Sequence, residues 1–313
     1  MVLFTLFSIF ANNFFTVRSV LNLLVQTSTF TILSIGSTLV LIVGGIDFSL
    51  GAVIAISGTA VVVFAVMGLP IWLSMIAATI MGGAIGLMNG FLVAKMRLPA
   101  FITTLGMSIF LYGSLGGFFA FAASHAPPRP LPDSLGDLAN VPVFTFYSHD
   151  ASGARIMVFP GISWLVIIMV IVALIFHLIL TKTRIGRYLY LIGSNQEASR
   201  LSGLKVIRVK ILAYVLAGIL SGLVGVMLAS RLVGPPGAAA GYEMIGIECA
   251  MIGGASLLGG VGSIGGTVLA SFILSTLSMG LAMMNANNVY IPTLLNGLIL
   301  LGAVYLDQTR TRK

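Results

Sequence analysis

The sequence is poor in charge. It holds eight acidic and sixteen basic residues in 313, so 8% of the chain is charged, whereas a soluble domain carries about 25%. So few ions cannot cover the surface of a soluble globule of this length. Cysteine occurs once, at Cys249, which excludes an intrachain disulfide framework and any multi-thiolate metal site. Three histidines are scattered, and His177 stands alone in an apolar run, where it reads as a packing residue near a membrane face. The glycine-rich phosphate loop that ends in Lys-Ser/Thr, the paired-histidine zinc helix and the serine nucleophile elbow are all missing. The run Gly259–Gly266 is glycine-rich, but it lies among apolar stretches with no soluble strand before it, so it is not a dinucleotide loop. No catalytic residue, metal ligand or cofactor of the chain's own is expected.

What is abundant is apolar surface. Of all residues 58% are hydrophobic and 37 are glycine, and the mean hydropathy is +1.11. This composition predicts an all-α integral membrane protein, a polytopic bundle in which small residues let helices approach closely. Runs of about 20 apolar residues, the length of a span, fall near Asn22–Val43, Leu50–Gly68, Ile71–Ala94, Ala100–Ala122, Ile162–Leu180, Ile211–Arg231, Ile245–Leu258, Ile264–Met284 and Val289–Leu306. Met1–Phe10 reads as a short tenth helix. The expectation is therefore about ten transmembrane helices in a single domain, 1–313. The glycine-rich stretches Gly44–Gly51 and Gly253–Gly266 resemble each other loosely, a trace of duplication.

The net charge of +8 comes from clustered bases. Lys95, Arg97, Lys182, Arg184, Arg187, Arg200, Lys205, Arg208, Lys210, Arg310, Arg312 and Lys313 make up twelve of the sixteen. Basic loops face the cytoplasm. Ten spans then place both termini and a segment of about 181–210 inside, and a proline-rich loop of about 123–160 outside. The bases form no Trp/Tyr-interleaved stripe of the kind on which nucleic-acid bases stack, so no nucleic-acid partner is expected.

Polar groups inside the spans are the candidates for a substrate pathway. Asp47 is the only acid in the first hundred residues, and an intramembrane carboxylate marks a functional site by default. It lies in a glycine-broken stretch, where its carboxylate also reads as a cap on the helix that follows. Gln26, Asn89 and Asn296 can bond between helices or line a path. Glu243 and Glu248 are five residues apart, a spacing that does not share a helix face, so they are not an acid–base pair; either can cap a helix or bond a substrate hydroxyl.

The segment between two apolar runs from Thr183 to Leu204 carries the most specific signal. Asn195 suits an N-cap, Glu197 a first turn and Gly203 a helix stop, which predicts a short amphipathic helix. Gly186-Arg187-Tyr188 followed by Gly193-Ser194-Asn195-Gln196-Glu197-Ala198-Ser199-Arg200-Leu201-Ser202-Gly203 closely resembles the coupling segment of ribose-type ABC sugar permeases. Asn13-Phe14-Phe15-Thr16, Gly45-Ile46-Asp47-Phe48-Ser49-Leu50-Gly51, Pro99-Ala100-Phe101-Ile102-Thr103-Thr104-Leu105, Gly241-Tyr242-Glu243 and Ile252-Gly253-Gly254-Ala255-Ser256-Leu257-Leu258-Gly259-Gly260 resemble that family in its order.

The resemblance implies a permease subunit of a monosaccharide importer in a bacterial inner membrane. It implies three partners: a cytoplasmic ATP-binding-cassette ATPase that uses the ATP, a periplasmic sugar-binding protein, and a second permease subunit, identical or different. It places ATPase coupling on Gly193, Asn195, Glu197, Arg200, Leu201 and Gly203. The alternative is a secondary transporter or channel acting without an ATPase. That would couple ions through carboxylates inside the spans, where only Asp47, Glu243 and Glu248 are available.

Overall fold

The computed structural model describes residues 2–11, 13–125, 131–149, 155–237, 239–284, 294–295, 297–302 and 304–305. The chain is a helical bundle. Its elements are α1 (Val2–Phe10), α2 (Val17–Ile42), α3 (Leu50–Val66), α4 (Ile71–Gly90), α5 (Ala100–His125), α6 (Asp137–Asn140), α7 (Trp164–Lys182), α8 (Arg184–Ser194), α9 (Gln196–Leu201), α10 (Val206–Leu232), α11 (Tyr242–Ile252) and α12 (Ile264–Met284).

Among the described residues, six helices are long and apolar enough to cross a membrane: α2, α4 with its π-helical extension to Lys95, α5, α7, α10 and α12. The 17 residues of α3 form a shorter apolar helix. The run expected to span from Ile245 to Leu258 is corrected to the 11 residues of α11. Gly253 and Gly254 stop it: the Ala255 N–H reaches the Ala250 carbonyl and the Gly254 N–H the Met251 carbonyl, with Gly254 at φ +94°. That is a Schellman ending. Of the expected span Val289–Leu306, residues 289–293, 296, 303 and 306 lie outside the described residues; 297–302 are helical.

Central and peripheral helices differ in what covers them. α2 is buried from Thr27 to Ile42, and α3 almost throughout. On α7, by contrast, Val170, Ile171, Leu174, Ile175 and Leu178 are exposed. A contiguous apolar face of this kind needs a non-aqueous cover, and for a bundle with six candidate spans that cover is lipid. α4 and α10 cross closely because glycines meet: Gly82 faces Gly218 and Gly222, and Gly86 and Gly90 lie against Tyr214 and Ile211.

One end of the bundle holds the bases of the α4–α5 turn, α8, α9 and the start of α10. The opposite end holds α6 and two small antiparallel ribbons. β1 (Pro142–Val143) pairs with β4 (Ile162–Ser163), and β2 (Phe146–His149) with β3 (Arg155–Phe159). Among the described residues these ribbons are the only strands in an otherwise helical chain. Pro142 can open a two-residue strand because it gives up only one donor at an edge.

Two helices begin inside the bundle instead of at its ends. Gly44 lies at the basic end beside Gly193 and Gly259, while three residues later Asp47 is already 3% exposed. α3 thus starts at depth. Likewise Pro236 rests against Gly58, and Glu243 against Gly51, both within α3, so α11 also starts at depth. Broken helices of this kind are tolerated where the freed backbone faces protein or a polar cavity.

Candidate functional site

The break between α2 and α3 is built from local chemistry. The Gly45 N–H reaches the Val40 carbonyl and the Gly44 N–H the Leu41 carbonyl. Gly44 has φ +71°. This is the same Schellman ending that stops α11, so the two glycine-rich stretches that looked alike in sequence close their helices identically. The chain then rises in extended form to Asp47. Its Oδ1 accepts from the Ser49 N–H at 2.8 Å and the Ser49 hydroxyl at 2.6 Å. Asn89, in the last turn of α4, donates from Nδ2 to the Ser49 Oγ at 2.7 Å. Thr104 on α5 accepts from the Phe48 N–H at 3.1 Å.

Ser49 therefore joins two of the expected pathway residues, Asp47 and Asn89. Both keep one oxygen buried without a partner, Oδ2 of Asp47 and Oδ1 of Asn89. Glu243 stands at the first turn of α11, where its carboxylate accepts from the Gly241 N–H at 3.1 Å and packs on Gly51 in the first turn of α3. Gln26 is half-buried on α2, and the geometry does not join it to this group. Asn296 lies outside the described residues. Ser49, Thr104 and Tyr214 (whose ring lies against Gly45) escaped the sequence reading. Ser49 and Thr104 sat within motifs already noticed, whereas Tyr214 carried no signal.

At the basic end, Asn195 caps α9: its Oδ1 accepts from the Ala198 N–H at 2.9 Å. Gly203 follows α9 at φ +81°, with the Leu204 N–H on the Ser199 carbonyl. Glu197 and Arg200 face solvent as a bidentate pair, Arg200 Nε lying 3.0 Å from Glu197 Oε2. That hydrogen bond holds the Glu197 carboxyl below its usual range, so it is ionised at neutral pH. Leu201 is 76% exposed. Beside α9 a cleft of about 1150 Å³ is lined by Lys95, Arg97, Arg200, Lys205, Arg208 and Lys210, with Gly44 also on its wall.

Gly193 supplies the link between this end and the interior. A Cβ there would overlap the Ile42 carbonyl and the Gly260 N–H. That carbonyl accepts the Gly260 N–H at 2.9 Å, and the Tyr190 hydroxyl donates to the Gly262 carbonyl at 2.8 Å. The end of α8 thus touches the ending of α2 and the glycine turn before α12 at once. No group of three or more potential metal ligands occurs among the described residues.

An apolar belt and six candidate spans define a multi-pass membrane protein. Comparison with known proteins names its kind. Residues 19–304 match the family described as branched-chain amino acid transport system / permease component. The ribose import permease protein RbsC of Escherichia coli (strain K12) is 34% identical over 99% of this chain and 92% of its own length. RbsC of Bacillus subtilis (strain 168) is 34% identical over 99% and 91%. The L-arabinose transport system permease protein AraH of Escherichia coli (strain K12) is 33% identical over 99% and 89%. The chain belongs to this permease family, in its ribose-type branch. No solved structure matches it significantly.

Proposed function

We propose that the chain is the membrane-spanning subunit of an ATP-binding-cassette importer that moves a monosaccharide, a pentose, hexose or related polyol, across a bacterial inner membrane. The observation that carries this reading is similarity along essentially the whole chain to permeases named for ribose and L-arabinose. A separate cytoplasmic ATPase uses the ATP and docks on α9, through Asn195, Glu197, Arg200, Leu201 and the flanking Gly193 and Gly203. A periplasmic binding protein delivers substrate at the ribbon end, and a second permease subunit completes the complex. The chain itself performs no covalent chemistry and carries no cofactor. About ten spans put both termini and the basic end in the cytoplasm.

Physical chemistry supports the division of labour. A sugar is costly to move through hydrocarbon with its hydroxyls unpaired, so its path needs side chains that both donate and accept. Asp47, Asn89 and Glu243 offer such groups at the depth where α3 and α11 begin; Gln26 and Asn296 belong to the same proposed path. Ionised Glu197 and exposed Leu201 give α9 the mixed face that a protein groove recognises.

The test is reconstitution in vesicles with the ATPase and the binding protein, followed by uptake of labelled ribose and L-arabinose. Wild type takes up one of them in an ATP-dependent manner. Glu197→Lys inserts normally, loses pull-down of the ATPase and hydrolyses ATP only at the unstimulated rate. Full stimulation and full pull-down in that variant would remove α9 from the docking surface.

A further inference from the structure

The bases at one end of the bundle converge. Lys95 and Arg97 from the α4–α5 turn, Arg200 from α9, and Lys205, Arg208 and Lys210 from the start of α10 line a single cleft of about 1150 Å³. That is the scale of a ligand pocket, which runs to about 1,000 Å³. Glu197 is the one acid on its wall, and its carboxylate is already taken by Arg200. Lys210 donates to the Gln196 side chain at 2.6 Å, a neutral acceptor. Among the described residues Lys95, Arg97, Lys205, Arg208 and Lys210 form no ion pair.

The backbone adds potential of the same sign. α10 starts in the cleft wall at Val206, with no acid in its first turn and no side chain capping it. The first N–H groups of a helix lack partners within it and carry the positive end of its dipole. Arg208 and Lys210 thus stand where an acid would be the stabilising choice. Bases that serve only to orient a chain in the membrane act from separate loops and need no shared cavity. An anion in the cleft would relieve the repulsion and meet the free backbone donors.

The lipid-facing side of α4 fixes the depth of the cleft. Trp72, Ile76, Ile80, Leu87 and Phe91 are exposed along one face of α4. Lys95 continues that face one turn further, its ammonium 5.0 Å from the centre of the Phe91 ring. From Trp72 to Lys95 the helix rises about 34 Å, close to the hydrocarbon thickness of about 30 Å. Tryptophan and lysine are the side chains that settle at membrane–water interfaces. The cleft mouth at Lys95 therefore lies at headgroup level, beside a face that carries acyl chains.

We propose that this cleft binds the headgroup of an anionic phospholipid, its phosphates held by Lys95, Arg97, Arg208 and Lys210 and its chains laid along α4. Basic pockets between helices at a membrane surface suit such headgroups. Five unpaired cations exceed what one phosphate neutralises, so a lipid with two phosphates, as in cardiolipin, fills the site better than one with a single phosphate. The bound lipid bridges the α4–α5 turn to α9 and the start of α10. The site does not depend on which solute is carried.

The full-length chain, alone and assembled with the ATPase, is titrated in neutral detergent with cardiolipin, phosphatidylglycerol or phosphatidylethanolamine, and native mass spectrometry counts the bound lipid. Cardiolipin binds at least tenfold tighter than phosphatidylethanolamine, at least threefold tighter than phosphatidylglycerol, and stays bound in the assembled complex. Arg97→Gln/Arg208→Gln weakens cardiolipin binding at least tenfold, and Arg97→Lys/Arg208→Lys recovers it to within threefold of wild type. Arg184→Gln/Arg187→Gln, which removes two bases of α8 outside the cleft, changes it less than twofold. An equal loss in the α8 variant would reduce the effect to diffuse surface charge and overturn the site. Cardiolipin binding no tighter than phosphatidylethanolamine overturns it too. Displacement of the lipid by inorganic phosphate at equal concentration would make the ligand a soluble anion instead. Expulsion of the lipid when the ATPase docks would give the cleft to an acidic surface of that partner, and either result sinks the proposal.

Discussion

Asp47 and Glu248 are equally buried, each 3% exposed, and their surroundings are opposite. Asp47 lies where the chain has left one helix and not yet entered the next, and Ser49 meets one of its oxygens twice, through backbone and side chain. Glu248 lies within a continuous helix and receives nothing at Oε2. Glu243, at the start of the same helix, behaves like Asp47 and takes the Gly241 N–H. A carboxylate at a helix start is claimed by free backbone donors, while one in the interior must find its partner elsewhere. The first kind holds the fold together. The second is left without a donor at Oε2.

The largest effect that bears on this contrast comes from the junction supporting both turns. Gly193→Val forces a side chain between the end of α8 and the Ile42 carbonyl, and overpacking of that kind costs about 3 kcal/mol. Thermal unfolding in detergent should show the loss, together with a fall in assembled complex. Asp47→Ala leaves the Ser49 N–H and hydroxyl without their acceptor and should cost about 2 kcal/mol in the same assay. Asp47→Asn keeps an accepting oxygen, because Asn caps nearly as well as Asp, so it should cost less than about 1 kcal/mol and still slow uptake. Wild-type uptake by that variant would reduce Asp47 to a cap. Glu248→Gln breaks no hydrogen bond at Oε2 and should shift stability by less than about 1 kcal/mol. A large destabilisation there would erase the distinction between the two carboxyls.

What could be read in the sequence follows how local the physics is. The helix over Asn195–Gly203 was legible because its cap, first-turn acid and stop lie within nine residues and act through their own backbone. The helix ending at Ile252 was misread as a longer span although Gly253-Gly254 stood in view, because apolar content masked a stop signal. The ribbons after Pro142 escaped because two- to five-residue strands depend on partners six to twenty-one residues away. The union of Asp47 with Asn89 spans more than forty residues and passes through Ser49, and the Thr38–Thr267 hydrogen bond spans 229. No spacing rule reaches that far, so those partners emerged only when the bundle was assembled.

The meeting of Gly193, Ile42 and Gly260 has a mechanical consequence. Most joints between helices are cushioned by side chains, which take up a small displacement by changing rotamer. Here three main chains touch with nothing between them, so the joint has no backlash. A tilt applied to α8 and α9 from outside is delivered to two glycine turns, one at the end of α2 and the other just before α12. One lever therefore drives two turns in the same stroke.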